Sequence, residues 1–170
     1  MAFVRLVRRL SLALALLAAL LVAAAVAVVC QMVIWRYALA ASTAWQTEFV
    51  TFAVLAATFL GSPYVLHLGG HVNVDLLPRW LGRRGRTVLG WTADLLGLAF
   101  ALTLFLHGVE YWWKAWRGGW TTPTVWALPL WIPISALVLG TGGLVLEYLA
   151  RFVEYRCGAR EPFGPVGAPR

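Results

Sequence analysis

Charge is scarce in this chain. Of its 170 residues 12% are Asp, Glu, Lys or Arg, seven of them acidic, while 61% are hydrophobic. The mean hydropathy of +0.77 lies far above that of an average soluble domain, which excludes a water-soluble globule. Cysteine is also rare. Cys30 and Cys157 fall on opposite sides of the membrane in the topology read below, so neither a disulfide framework nor a cysteine metal site follows. The sequence has no nucleophile elbow, no glycine loop that would cradle a phosphate and no HExxH pattern. A buried serine with a histidine in reach would be needed for an intramembrane hydrolase. Ser135 and His107 share the outer half and nothing more, so an enzyme is not expected. Internal repeats, the mark of a self-contained transporter, are missing as well.

What is present is apolar length. About 20 apolar residues cross a hydrocarbon core of roughly 30 Å, and segments 10–34, 49–68, 88–109 and 128–150 qualify. The expected fold is therefore an all-α integral membrane protein, a single domain of four transmembrane helices over 1–155, followed by a flexible cytoplasmic tail at 156–170. The opening "MAFVRLVRRLSLALALLAALLVAAAVAVV" has the basic start of a secretory signal. Its apolar run of about 24 residues exceeds the roughly 7–15 of a signal core, so it is read as helix 1, with Arg8-Arg9 as an anchor rather than a twin-arginine signal. Basic residues near helix ends resist translocation. Arg5, Arg8 and Arg9 precede helix 1, Arg79, Arg83, Arg84 and Arg86 separate helices 2 and 3, and Arg151, Arg156 and Arg160 follow helix 4. The opposite loops hold only Arg36, Lys114 and Arg117. Both termini are thus expected in the cytoplasm. That pattern accounts for the net charge of +7, leaving attraction to anionic membrane lipid but no nucleic-acid surface. All ten tryptophans lie near expected helix ends, where the amphipathic ring favours the headgroup level.

The polar residues offer few candidate sites. The hinge "HLGGHVNVDLLPRWLGRRGR" (67–86) gathers two histidines, an aspartate and four arginines. Its glycines suit a turn and its arginines hold it inside. His67, His71 and His107 raise the reading of a haem-binding anchor, but His107 falls at the outer helix end, roughly 25–30 Å from the other two, too far for one haem. Gly69 and Gly70 break the helix that would let His67 and His71 share a metal. An acid inside a membrane is costly and so a functional candidate. Glu48, Glu110 and Glu147 sit near helix ends, where they reach interfacial water. Asp94 lies a turn or two inside helix 3 and needs a partner, either a hydroxyl such as Thr58 or a group from another subunit. Structural pairing is favoured over a proton relay. Ala15, Ala19, Ala23 and Ala27 form a small-residue stripe that admits another helix. Gly140, Gly142 and Gly143 thin helix 4, and Pro129 and Pro133 set a kink at its start.

Three local patterns fall in one order: "WQTE" (Trp45, Glu48) opening helix 2, "HVNVDLLP" (His71, Asp75) after it, and "TPTVWALPLWIP" (Pro129, Trp131, Pro133) leading into helix 4. Together they resemble the small integral membrane subunit of TRAP transporters, the tripartite ATP-independent periplasmic family (DctQ-like). Where many relatives carry a second proline before the glycine of helix 4, this chain reads "ISALVLG". The resemblance implies a bacterial inner-membrane scaffold, with no cofactor of its own, in a sodium-coupled importer of organic anions. A large TRAP membrane subunit then holds the substrate and sodium sites and moves as an elevator, fed by a periplasmic substrate-binding protein. Under it, His71 and Asp75 pair or cap the turn between helices 2 and 3, Trp45 and Glu48 brace the outer side, and the outer loops are available to the binding protein. Two other readings stand beside it: a haem- or quinone-binding anchor of a respiratory oxidoreductase, and a four-helix assembly protein.

Overall fold

The computed structural model describes residues 2–38, 42–69, 83–124 and 126–157. They form four helices, α1 Ala2–Ala38, α2 Ala44–His67, α3 Arg83–Gly118 and α4 Trp131–Arg156. Each is long and apolar enough to cross a membrane.

The helices differ from the expected spans at their ends. α1 contains neither Gly nor Pro and is built mostly of Ala, Leu, Val and Arg, so nothing stops it at the limits of the apolar run. α3 runs on past residue 109 through Tyr111, Trp112, Trp113 and Trp116. Both helices are about 55 Å long at 1.5 Å per residue, well beyond the hydrocarbon thickness. α2 ends where expected, and Gly69 behind it adopts φ +78. α4 starts later than residue 128. Pro129 lies outside it, opposite Thr121 in an isolated antiparallel bridge, which corrects its expected place at the helix start. Pro133 sits in the first turn of α4, where an N–H is not needed.

α4 is the hub of the bundle. It packs on α1, α2 and α3; α1 also packs on α2, whereas α3 brings its backbone close to α4 alone. α1 faces the bundle through Val4, Val7, Ser11, Leu14, Ala18, Leu21 and Ala25. This alternation of three and four is the period of a coiled-coil seam. The expected alanine stripe lies mostly elsewhere: Ala15 is half-buried, but Ala19, Ala23 and Ala27 are exposed, so the helices of this chain make little use of it. On α4, Gly140 lets α2 approach so closely that a Cβ there would collide with the Phe59 carbonyl. At Gly143 an added Cβ would stand 2.7 Å from Pro63 Cγ.

Opposite the basic end of the bundle, residues 120–122 pair antiparallel with residues 128–130 in a small hairpin. Thr122 N–H donates to the Leu128 carbonyl at 3.0 Å, and Leu130 N–H donates to the Trp120 carbonyl at 2.9 Å.

Candidate functional site

At the basic end, where α1 and α3 begin and α2 and α4 finish, polar side chains form a layer across all four helices. Asp94 of α3 is its first member. Its carboxylate accepts from Arg151 Nη1 at 3.2 Å and from the Tyr155 hydroxyl at 2.7 Å, both on α4. Arg151 is 8% exposed, and its other terminal nitrogen donates to the Leu66 carbonyl. That carbonyl belongs to the last turn of α2, where it also accepts from the Gly69 N–H at 3.0 Å. One guanidinium thus ties α2, α3 and α4 together.

Glu147 of α4 is the second centre. It is 2% exposed. Ser11 Oγ of α1 donates to its Oε2 at 3.1 Å, and His67 Nδ1 of α2 lies 2.8 Å from its Oε1. A third link, between Arg8 of α1 and Glu154 of α4, closes the layer toward its rim. Hydrogen bonds to charged groups are about twice as strong as neutral ones. Once a charged pair is buried, removal of one partner strands the other out of water.

These contacts revise the sequence reading in three places. Asp94 is paired within its own chain, and its partner is Arg151, expected only as a surface anchor. Thr58, the hydroxyl considered for it, instead donates to the Val54 carbonyl at 2.9 Å. Glu147 is deeply buried rather than in interfacial water. Glu110 behaves as expected: it is exposed and accepts from Lys114 Nζ at 2.7 Å. Of the candidate haem ligands, His67 has its Nδ1 engaged by Glu147, and the His107 side chain is 76% exposed at the other end. Among the described residues no group of three or more His, Cys, Asp or Glu side chains could hold a metal.

The remaining candidates lie at the tryptophan-rich end. Glu48 of α2 accepts from Thr124 Oγ1 of the hairpin at 2.6 Å. Trp45 meets Trp126 edge to face at 6.3 Å, and Trp131 meets Trp116 of α3 at 4.7 Å. Pro133 is buried, and Pro129 closes the hairpin bridge to Thr121. The hairpin is thereby fixed to the start of α2. His71 and Asp75 lie outside the described residues. The structure therefore brings the outer candidates together and leaves Asp94 at the opposite end. Ser11, Arg151 and Tyr155 were not among the candidates. The signal for Arg151 was present on α4, where Glu147, Arg151 and Glu154 recur at helical spacing on one face; none pointed to Ser11 or Tyr155.

The arrangement defines a class: a multi-pass helical membrane protein whose buried polar groups join its own helices. The sequence model of the family described as "Tripartite ATP-independent periplasmic transporters, DctQ component" matches residues 25–158. The chain belongs to that family, and it is the small membrane component of a TRAP transporter rather than an enzyme. No curated protein and no solved structure matches it.

Proposed function

We propose that this chain is the stationary scaffold of a sodium-coupled importer of organic anions in a bacterial inner membrane. The large membrane subunit moves against it, and a periplasmic binding protein delivers the substrate. Both chain termini face the cytoplasm, in keeping with arginines gathered at the basic end. The observation that carries the reading is the polar layer. A support for a moving partner has to resist shear between its own helices, and Arg151 and Glu147 bind all four at one level. At the other end Glu48 and Trp45 brace the hairpin through Thr124 and Trp126, a preformed surface for the binding protein. His71 and Asp75 are assigned the matching brace between α2 and α3.

The test is a gentle detergent pull-down of the tagged chain from native membranes, with a visible spectrum of the same sample and a solute-uptake assay of cells lacking the chain. A stoichiometric polytopic partner, no Soret band and loss of uptake of one organic anion are expected. A flavin or iron–sulfur partner with a Soret band would overturn the reading in favour of a respiratory anchor. Glu48→Ala and Asp75→Ala should each reduce co-purification of the large subunit; full assembly and uptake in both would remove their bracing role.

A further inference from the structure

The three arginines that open α1 do not share a task. Arg8 pairs with Glu154 of α4. Arg5 and Arg9 are exposed, on the side of α1 that faces away from the seam of Val4, Val7, Ser11 and Ala18. The described acids of the basic end are engaged inside the bundle: Asp94 with Arg151 and Tyr155, Glu147 with Ser11 and His67, Glu154 with Arg8. Among the described residues no acid lies within ion-pair distance of Arg5 or Arg9. Two like charges four residues apart on a helix repel each other. An anion seated between them, from outside the chain, removes that repulsion.

We infer that Arg5 and Arg9 hold the phosphate of one anionic phospholipid, whose acyl chain lies along Leu12, Leu16 and Leu20 of the same helix face. Depth supports the first half of this assignment. The ring of Tyr155, the residue after Glu154, meets Trp91 of α3 at 5.3 Å, and such rings favour the headgroup level. Arg8, paired with Glu154, shares that level. Arg5 lies on its N-terminal side, and the Arg9 side chain leans toward the N-terminus as helical side chains do, so both guanidinium groups stand among the phosphates. Length supports the second half. Leu12, Leu16 and Leu20 continue the face of Arg5 and Arg9 at steps of three and four and are 45%, 59% and 67% exposed. From Arg9 to Leu20 the helix rises about 16 Å, half of a hydrocarbon core of roughly 30 Å, which is the depth of one leaflet. Past Leu20 the face continues as Ala23 and Ala27, which give an acyl chain little to lie against. A strip that stops at the bilayer midplane has the length of a lipid, whereas a partner helix would follow α1 through both leaflets. A lipid held in this way fixes the depth of α1 and ties the first helix of the chain to the leaflet at its basic end.

The test is native mass spectrometry of the full chain, released from detergent micelles that contain equal amounts of phosphatidylglycerol and phosphatidylcholine. The wild-type chain should keep phosphatidylglycerol in about 25-fold excess over phosphatidylcholine, about fivefold for each arginine beside an anionic headgroup. Arg5→Gln combined with Arg9→Gln should bring the two lipids close to parity, and Arg36→Gln, at the far end of α1, should change nothing. Equal retention of both lipids by the wild-type chain, or a preference unchanged in the double variant, overturns the proposal. So does displacement of the lipid by inorganic phosphate, which would make the site one for a free anion. Because basic residues also direct insertion, the unaltered chain in vesicles supplies a second readout, with a phosphatidylglycerol that carries a photoreactive diazirine in its acyl chain. The label should fall on residues 12–20 and be suppressed by unlabelled phosphatidylglycerol but not by phosphatidylcholine. Label spread evenly over the four helices overturns the assignment.

Discussion

Arg151 donates to a carboxylate on one helix and to a main-chain carbonyl on another, so its loss would break two interhelical hydrogen bonds at once and leave the Asp94 charge with the Tyr155 hydroxyl but no cation. Asp94→Ala and Arg151→Ala should each cost about 3–5 kcal/mol of stability, the range for breaking a buried ion pair from one side. The double variant should lose less than the sum, because the second removal takes away the stranded charge. Chemical or thermal unfolding in detergent measures both. Lys114→Ala gives the contrast: its partner Glu110 is exposed on the same helix, and exposed pairs contribute little, so the unfolding midpoint should not move. At this scale the sequence was only partly legible. It showed that Asp94 needed a partner, since an acid inside a span does, but it did not name Arg151. The positive-inside pattern that explains Arg8 and Arg156 explains Arg151 equally well, and only the placement of α3 against α4 separates an anchor from a buried partner.

The helices were legible in number and order but not in length. A hydropathy run reports the stretch that lipid surrounds, while a helix continues for as long as its residues favour it, as α1 and the aromatic end of α3 do. Proline misled at the start of α4, where Pro129 serves the bridge to Thr121 instead of the first helical turn. Helix faces were harder still. Small residues permit close approach, but α1 is so rich in alanine that they occur on every side, and the seam actually used passes through Ser11, Ala18 and Ala25. Ala18→Leu should therefore destabilise the bundle by about 1–3 kcal/mol through overpacking, whereas Ala19→Leu should leave the unfolding midpoint of the isolated chain unchanged. Gly140→Ala belongs with the first, because its methyl group would meet the Phe59 backbone, which cannot swing aside as a side chain can.

For the molecule as a whole, family membership and the four-helix bundle agree with the sequence patterns, and the direction of insertion is open to a direct test. Cys157 follows α4 and is exposed. In intact spheroplasts a membrane-impermeant maleimide should leave it unlabelled, and permeabilisation should expose it; labelling before permeabilisation would invert the proposed orientation. The hub position of α4 bears on how such a chain comes to exist. Ribosomes deliver α4 after the other three helices, yet Asp94, Ser11 and His67 all find their partners on it. During synthesis the first three helices enter the bilayer before Arg151 is available to the acid on α3, a costly state, and among the described residues the backbone of α3 comes close to α4 alone. Quality control thus has a simple cue: a nascent chain that stops short of α4 displays a bare aspartate, and one that completes it conceals the acid in the same step that locks the fold.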